Sequence, residues 1–190
     1  MKVFFTASPR GKKKDLKQNY LKIYEFLEQL GCVHLSDFIQ KVDPVKFSAS
    51  TESEKIEHYK KTVRIIKEAD LVVLETSLHS LATGYIANLA LGLGKPVIAL
   101  HAGKRKPYFL LGIQNDKLQV VEYSLNSLKE VLKNAVEYAG EKIDTRFNFF
   151  ISPTIGNYLS WISKNKKLPR AVYIRKLIEQ DMNENKDYNK

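Results

Sequence analysis

The stretch "ADLVVLETSLHSLATGYIANLALGLGKPVIAL", residues 69–100, decides the fold. "LVVLET" is a near-continuous apolar run, the pattern of a strand covered on both faces. "LATGYIANLALGLG" is apolar around its whole circumference and closes on glycine, which predicts a buried helix. "PVIAL" repeats the strand pattern. Strand, helix and strand in direct succession make a parallel βαβ unit.

The same alternation continues outward. "KVFFT" at 2–6 reads as a strand that ends at the turn-like "ASPRGKKK". Leu16, Tyr20, Ile23, Tyr24, Leu27 and Leu30 recur at helical spacing, and Gly31 stops the pattern. "CVHLSDF" is a weaker strand. "SASTESEKIEHYKKTVRIIKEAD" opens polar and turns helical, with Ile56, Tyr59, Val63 and Ile66 on one face. "LQVVEY" is a fifth strand, and "SLNSLKEVLKNAVEYAG" is an amphipathic helix with Ser124 or Asn126 as its cap. The prediction is an α/β domain, doubly wound in the Rossmann-like or flavodoxin-like manner around a five-stranded parallel sheet. Such folds bind ligands at the carboxyl ends of their strands. The loops "TASPRGKKK" and "TSLHSLATG" are therefore where a site belongs.

Of the 190 residues, 44% are hydrophobic, enough for a packed core. Lys and Arg number 31 against 21 Asp and Glu, a net charge of +10. A balance this basic points to an anionic partner such as nucleic acid, a nucleotide or a membrane surface. The one cysteine, Cys32, excludes an intrachain disulfide. His34, His58, His79 and His101 are scattered without metal-ligand spacing, so neither metal nor cofactor is expected. No run approaches the ~18 apolar residues of a membrane span. "GLGKP" at 92–96 closes a helix instead of opening one, and no Ser or Thr follows Lys95, so it is no P-loop. A cytoplasmic protein without a membrane partner is the expectation.

Three pieces resemble the nucleoside 2-deoxyribosyltransferase superfamily, most closely its 2'-deoxynucleoside 5'-phosphate N-hydrolase branch: "FFTASPRG" at 4–11, "ADLVVLETSLHSLATGY" at 69–85 and "ALGLGKPVIAL" at 90–100. The resemblance covers residues 1 to about 140. It implies that Ser8, Arg10 and Gly11, with Ser80 and Gly84, cradle the phosphate of a nucleotide or other phosphate-bearing small molecule. A helix N-terminus suits that role, because its unpaired N–H groups and partial positive charge attract anions. The resemblance also implies catalytic positions, and these depart from the pattern. Ile86 stands where the family's nucleophilic Glu belongs, Thr62 near its supporting Asp, and Phe4 at its first-strand Tyr. A glycosyl transfer through a covalent intermediate needs a carboxylate nucleophile. Glu75 lies nearby but corresponds to a strand-end residue outside that role.

The pattern changes after Gly140. Residues 141–144, "EKID", read as a linker, and 183–190 as a frayed polar tail. "TRFNFFIS" alternates, with Phe147, Phe149 and Ile151 on one side and Arg146, Asn148 and Phe150 on the other. A helix follows a Ser152-Pro153 start and is expected to bury Ile155, Tyr158, Leu159 and Ile162. A second begins near Pro169 and is expected to bury Ala171, Ile174, Leu177 and Ile178. Residues 145–180 hold seven Lys or Arg against one Glu. Residues 145–182 resemble a ribbon-helix-helix DNA-binding module. The resemblance implies that Arg146, Asn148 and Phe150 read bases of duplex DNA and that Lys167 and Arg170 hold phosphates.

Taken together, the sequence reads as a DNA-binding transcriptional regulator rather than an enzyme. Its first domain would sense a nucleotide, assemble subunits, or both. Both modules resemble families that dimerise, so a homodimer or higher homo-oligomer is expected. The alternative is an active nucleotide N-glycosidase or nucleoside deoxyribosyltransferase with a relocated carboxylate.

Overall fold

The structure, a computed structural model, describes residues 1–13, 16–141, 149–166 and 168–188. The chain divides into two compact units, Met1–Asp144 and Thr145–Lys190.

The first unit holds five strands: β1 (Lys2–Ala7), β2 (Val33–His34), β3 (Leu71–Glu75), β4 (Val97–Ala102) and β5 (Leu118–Tyr123). All pairs are parallel and the order is β2-β1-β3-β4-β5. This is the doubly wound, flavodoxin-like arrangement. The helices are α1 (Lys17–Gln29), α2 (Phe38–Lys41), α3 (Pro44–Ser48), α4 (Glu52–Glu68), α5 (Leu81–Gly92), α6 (Tyr108–Leu111) and α7 (Leu128–Glu141).

Successive strand residues point to opposite faces, so the apolar runs feed two cores. Val3, Phe5, Leu71, Val73, Ile98 and Leu100 pack with Ile23 and Leu27 of α1 and Leu128 and Leu132 of α7. Phe4, Val72, Leu74, Val97 and Ala99 pack with Ile66 of α4 and Ala87 and Ala90 of α5. Gly31, at φ +77°, ends α1 as the sequence requires. The second strand shrinks to Val33 and His34 because it lies at the sheet edge and pairs only with β1.

Three expectations for this unit are corrected. The buried face of α4 is not Ile56, Tyr59, Val63 and Ile66: Ile56 and Tyr59 are exposed, and Thr62 and Ile66 are buried. The helix turns His58 and Thr62 toward a cavity of mixed polar and apolar lining, so the apolar stripe does not mark its inner side. Helix α5 is not buried all round; Leu81 and Tyr85 lie open while Thr83, Ala87 and Ala90 face inward. At the start of α7, the amides of Ser124 and Ser127 each bond the other's hydroxyl, and Val131 N bonds Ser127 O. The cap is thus a Ser124–Ser127 pair, without Asn126.

The second unit contains α8 (Pro153–Asn165) and α9 (Arg170–Glu184). Ser152 caps α8 by accepting from Ile155 N at 3.3 Å, with Pro153 at the first helical position. Of the expected core only Leu159 and Ile162 are buried; Ile155 and Tyr158 are half exposed, and no residue of α9 is buried. Phe149 and Phe150 are exposed and belong to no strand. Arg146, Phe147, Asn148 and Lys167 lie outside the described residues. Arg170, the first residue of α9, is exposed. The expected frayed tail begins two residues late, since α9 runs to Glu184. Among the described residues no helix is long and apolar enough to cross a membrane.

Helix α4 starts with a full capping box: Glu54 N donates to Thr51 Oγ1 and Thr51 N donates to Glu54. Thr51→Ala is expected to lower stability by about 1 kcal/mol, read as a shift in the urea midpoint at constant slope.

Candidate active site

Ala7 of β1 pairs with Glu75 of β3. The loops that follow these residues therefore leave the sheet side by side, at the point where the strand order reverses. Ser8 is buried, and Gly11 N donates back to Ser8 O at 2.9 Å, closing a tight turn over Pro9–Lys13. A Cβ on Gly11 would sit 1.9 Å from the Tyr20 hydroxyl, so only glycine lets the loop press onto that ring. The Arg10 guanidinium spans both loops. Its Nη2 donates to His79 O at 2.9 Å, and its Nε reaches Ser8 Oγ at 3.5 Å.

Ser80 is extended and leads into α5 without using its side chain as a cap. The helix ladder begins with Gly84 N to Ser80 O at 3.1 Å. The amides of Leu81, Ala82 and Thr83 precede that ladder and form the donor end of the helix. A Cβ on Gly84 would meet open space, so packing does not demand this glycine. Arg10 thus links Ser8 in the loop after β1 to the backbone of His79, next to Ser80.

A cavity of ≈ 260 Å³ lies against β1, α4 and α5. Its lining includes Phe4 and Thr6 from β1, Thr62 from α4 and Ile86 from α5. The lining also includes Asp37, Lys41, His58 and Lys61. Ile86 lies within one turn of the α5 donor end. The Asp37 carboxylate is paired with Lys41, whose hydrogen bond holds it below the usual carboxylate range. His58 is held below the usual imidazole range, first by burial and then by the charge of Lys61. Its ring packs 4.3 Å from Phe38 and 5.2 Å from Phe47.

Sequence reading missed Asp37 and His58. Asp37 follows a two-residue strand with no apolar run to flag it. His58 lies one helical turn before Thr62, a spacing that places the two on one face.

Glu75 lies on the other side of the sheet. It alternates with Val72 and Leu74, which face the cavity side, and sits in register with Leu71 and Val73. It is fully buried. One oxygen, Oε1, accepts from Ser77 Oγ, from Ser77 N at 3.3 Å and from Tyr123 Oη at 3.1 Å. Burial pushes its carboxyl above the usual range. It therefore cannot be the relocated carboxylate of the cavity. Among the described residues no cluster of His, Cys, Asp and Glu is arranged to hold a metal ion.

Fold and crevice together define the class: a nucleoside deoxyribosyltransferase-like α/β domain. No protein-family model matches the chain. It is 33% identical over 138 residues to the "Putative 2'-deoxynucleoside 5'-phosphate N-hydrolase 1" of Syntrophotalea carbinolica, covering 72% of this chain and 94% of that protein. A protein of the same name from Thermofilum pendens is 33% identical over 131 residues, covering 65% and 86%. The 5-hydroxymethyl-dUMP N-hydrolase of Rattus norvegicus is 27% identical over 142 residues, covering 71% and 84%. The chain belongs to the 2'-deoxynucleoside 5'-phosphate N-hydrolase family.

These relatives overturn the reading of the chain as a non-enzymatic DNA-binding regulator, because all three are named for hydrolysis of nucleotides and none for gene control. The basic charge that suggested duplex DNA suits a small anionic substrate equally well.

Glu75 makes stability depend on pH in a defined direction. The folded state keeps its proton to higher pH than the unfolded chain, so the folded state binds more protons above the ordinary glutamate range. Stability then falls as pH rises through that window. Glu75→Gln is expected to gain stability relative to the parent as pH rises, measured by urea unfolding across a pH series.

Proposed function

We propose that the first unit hydrolyses the N-glycosidic bond of a nucleoside 5'-monophosphate. The phosphate would sit among Ser8, Arg10, Gly11, Ser80 and the amides leading to Gly84. The sugar would lie over Phe4, Thr62 and Ile86. The observation that carries this reading is convergence: Phe4, Thr62 and Ile86, far apart in sequence, line one cavity, and Ile86 follows Gly84 by two residues on α5.

In this reading the family's own catalytic side chains are replaced, and Ile86 cannot attack carbon. The cavity supplies another carboxylate, Asp37, kept ionised by Lys41. Its charge would stabilise the oxocarbenium-like transition state. His58, neutral through burial, would accept a proton from the attacking water. The C1'–N bond breaks and its electron pair leaves with the base. The water oxygen bonds to C1'.

Residues 1–140 would form the catalytic domain and 141–144 a link. Residues 145–182 would form a helical module of ribbon-helix-helix type with a structural role. The open apolar faces, Leu81 and Phe109 in the first unit and Ile155 and Ile178 in the second, favour a homodimer or higher homo-oligomer.

The test is release of free base from a panel of deoxynucleoside and ribonucleoside monophosphates. Asp37→Asn is expected to lower kcat by about 10²-fold or more, with KM little changed. Arg10→Ala is expected to raise KM first. Absence of release from every substrate would sink the proposal, and full activity in Asp37→Asn would sink the role of that residue.

A further inference from the structure

We propose that the buried Glu75 carboxyl is a positioning residue that moors both loops of the crevice, and so sets the geometry of the anion cradle without touching the substrate. This extends the phosphate-site reading above and rests on it only in the second arm of the test.

The mooring is visible as two spokes. The first runs into the loop after β3. Glu75 Oε1 takes both the hydroxyl and the amide of Ser77, and Ser77 Oγ accepts from Ala102 N at 2.8 Å. That ties the β3 loop to the end of β4. The second spoke runs into the loop after β1. Tyr20, next to Asn19 on α1, donates its hydroxyl to Ser8 O at 3.2 Å, and Asn19 ties α1 to Glu75 through Tyr123. The same hydroxyl fills the space where Gly11 would carry a Cβ. A third partner braces the hub: Tyr123 Oη donates to Glu75 Oε1 at 3.1 Å and accepts from Asn19 Nδ2 at 2.9 Å. Strands β3, β4 and β5 and helix α1 therefore meet at one carboxyl.

The arrangement is costly for the fold alone. Glu75 is 0% exposed, and among the described residues its Oε2 has no hydrogen-bond partner. A buried polar atom without a partner is destabilising, and an apolar side chain on this face would avoid that cost. Leu71 and Val73 on the same strand face show what the core alone selects. The carboxyl gives what leucine cannot, an acceptor that several donors approach at once and whose position they must share. Both loops that share it are the loops carrying Ser8, Arg10 and Ser80.

The experiment compares Glu75→Leu, which keeps size and loses the acceptor, with Glu75→Gln, which keeps both. In the first arm, amide hydrogen exchange is followed on the ligand-free full chain after near-UV circular dichroism confirms that each variant is folded. In Glu75→Leu, exchange at Ser8–Gly11 and Thr76–Thr83 is expected to speed by about tenfold, with α7 and β5 unchanged, while Glu75→Gln restores parental protection. Uniform acceleration along the chain, or no change in the two loops, overturns the proposal. Should Glu75→Leu fail to fold, the spokes are cut singly: Ser77→Ala is expected to loosen only the β3 loop and Tyr20→Phe only the β1 loop. In the second arm, binding of deoxyribose 5-phosphate is measured by calorimetry. Glu75→Leu is expected to weaken it about tenfold and Glu75→Gln to rescue it. Unchanged affinity despite loosened loops overturns the link to the cradle. No binding by the parent chain overturns the proposed function instead, and leaves the exchange result to decide the mooring.

Discussion

The parallel pairing of β1 with β3, with Ala7 opposite Glu75, is the constraint on which the rest of the site depends. From β1 the chain turns outward to β2 at the edge and then crosses back to β3 on the other side. Because each crossover keeps the same hand, the helices after β1 and β3 fall on opposite faces of the sheet. Helix α1 packs with one core and α5 with the other. The strand ends between them are left with no helix above them. A crevice follows from topology alone, and its walls are whatever the two loops carry.

Alternation along the same strands then sorts the chemistry by face. Thr6 opens to the cavity on the α4 and α5 side, whereas Glu75 points to the α1 and α7 side. The two acidic residues near the site end up in different surroundings. Glu75 is buried among apolar side chains and pushed toward its neutral form. Asp37 is solvated and paired with Lys41, which favours the ionised form. Environments that drive two carboxyls apart in this way assign different tasks to them. The buried one suits holding structure, and the ionised one suits meeting positive charge.

Much of this was legible in the sequence, for a physical reason. Parallel strands covered on both faces must be apolar throughout, so "LVVLET" and "PVIAL" declare themselves without context. The turn residues Gly11 and Gly31 were equally readable, since close approach to Tyr20 and a positive φ leave little choice of side chain. The side of Glu75 could also have been read, because parity with Leu71 and Val73 fixes it. Helix α4 resisted because its inner face turns the polar His58 and Thr62 toward a cavity, so Ile56 and Tyr59 suggested the wrong side. Asp37 resisted because a loop after a two-residue edge strand has no periodicity to follow. Short elements such as α2, α3 and α6 lie below the length at which a helical repeat can be seen.

On the proposed function, Phe4 and Ile86 set apolar side chains beside the polar ones that line the cavity. An apolar floor holds no dipoles that screen a nearby charge, so an ionised group at its rim acts over a longer effective range than it would in water. On the proposed mechanism this favours a carboxylate that acts through its field, as Asp37 would, over one that must form a bond. On the same proposal, the attacking water would be held beside His58 and Asp37, which line the cavity with Phe4 and Ile86. On the proposed function, a cavity with Ile86 in its lining supports glycoside hydrolysis when Asp37 supplies the charge and His58 holds the water.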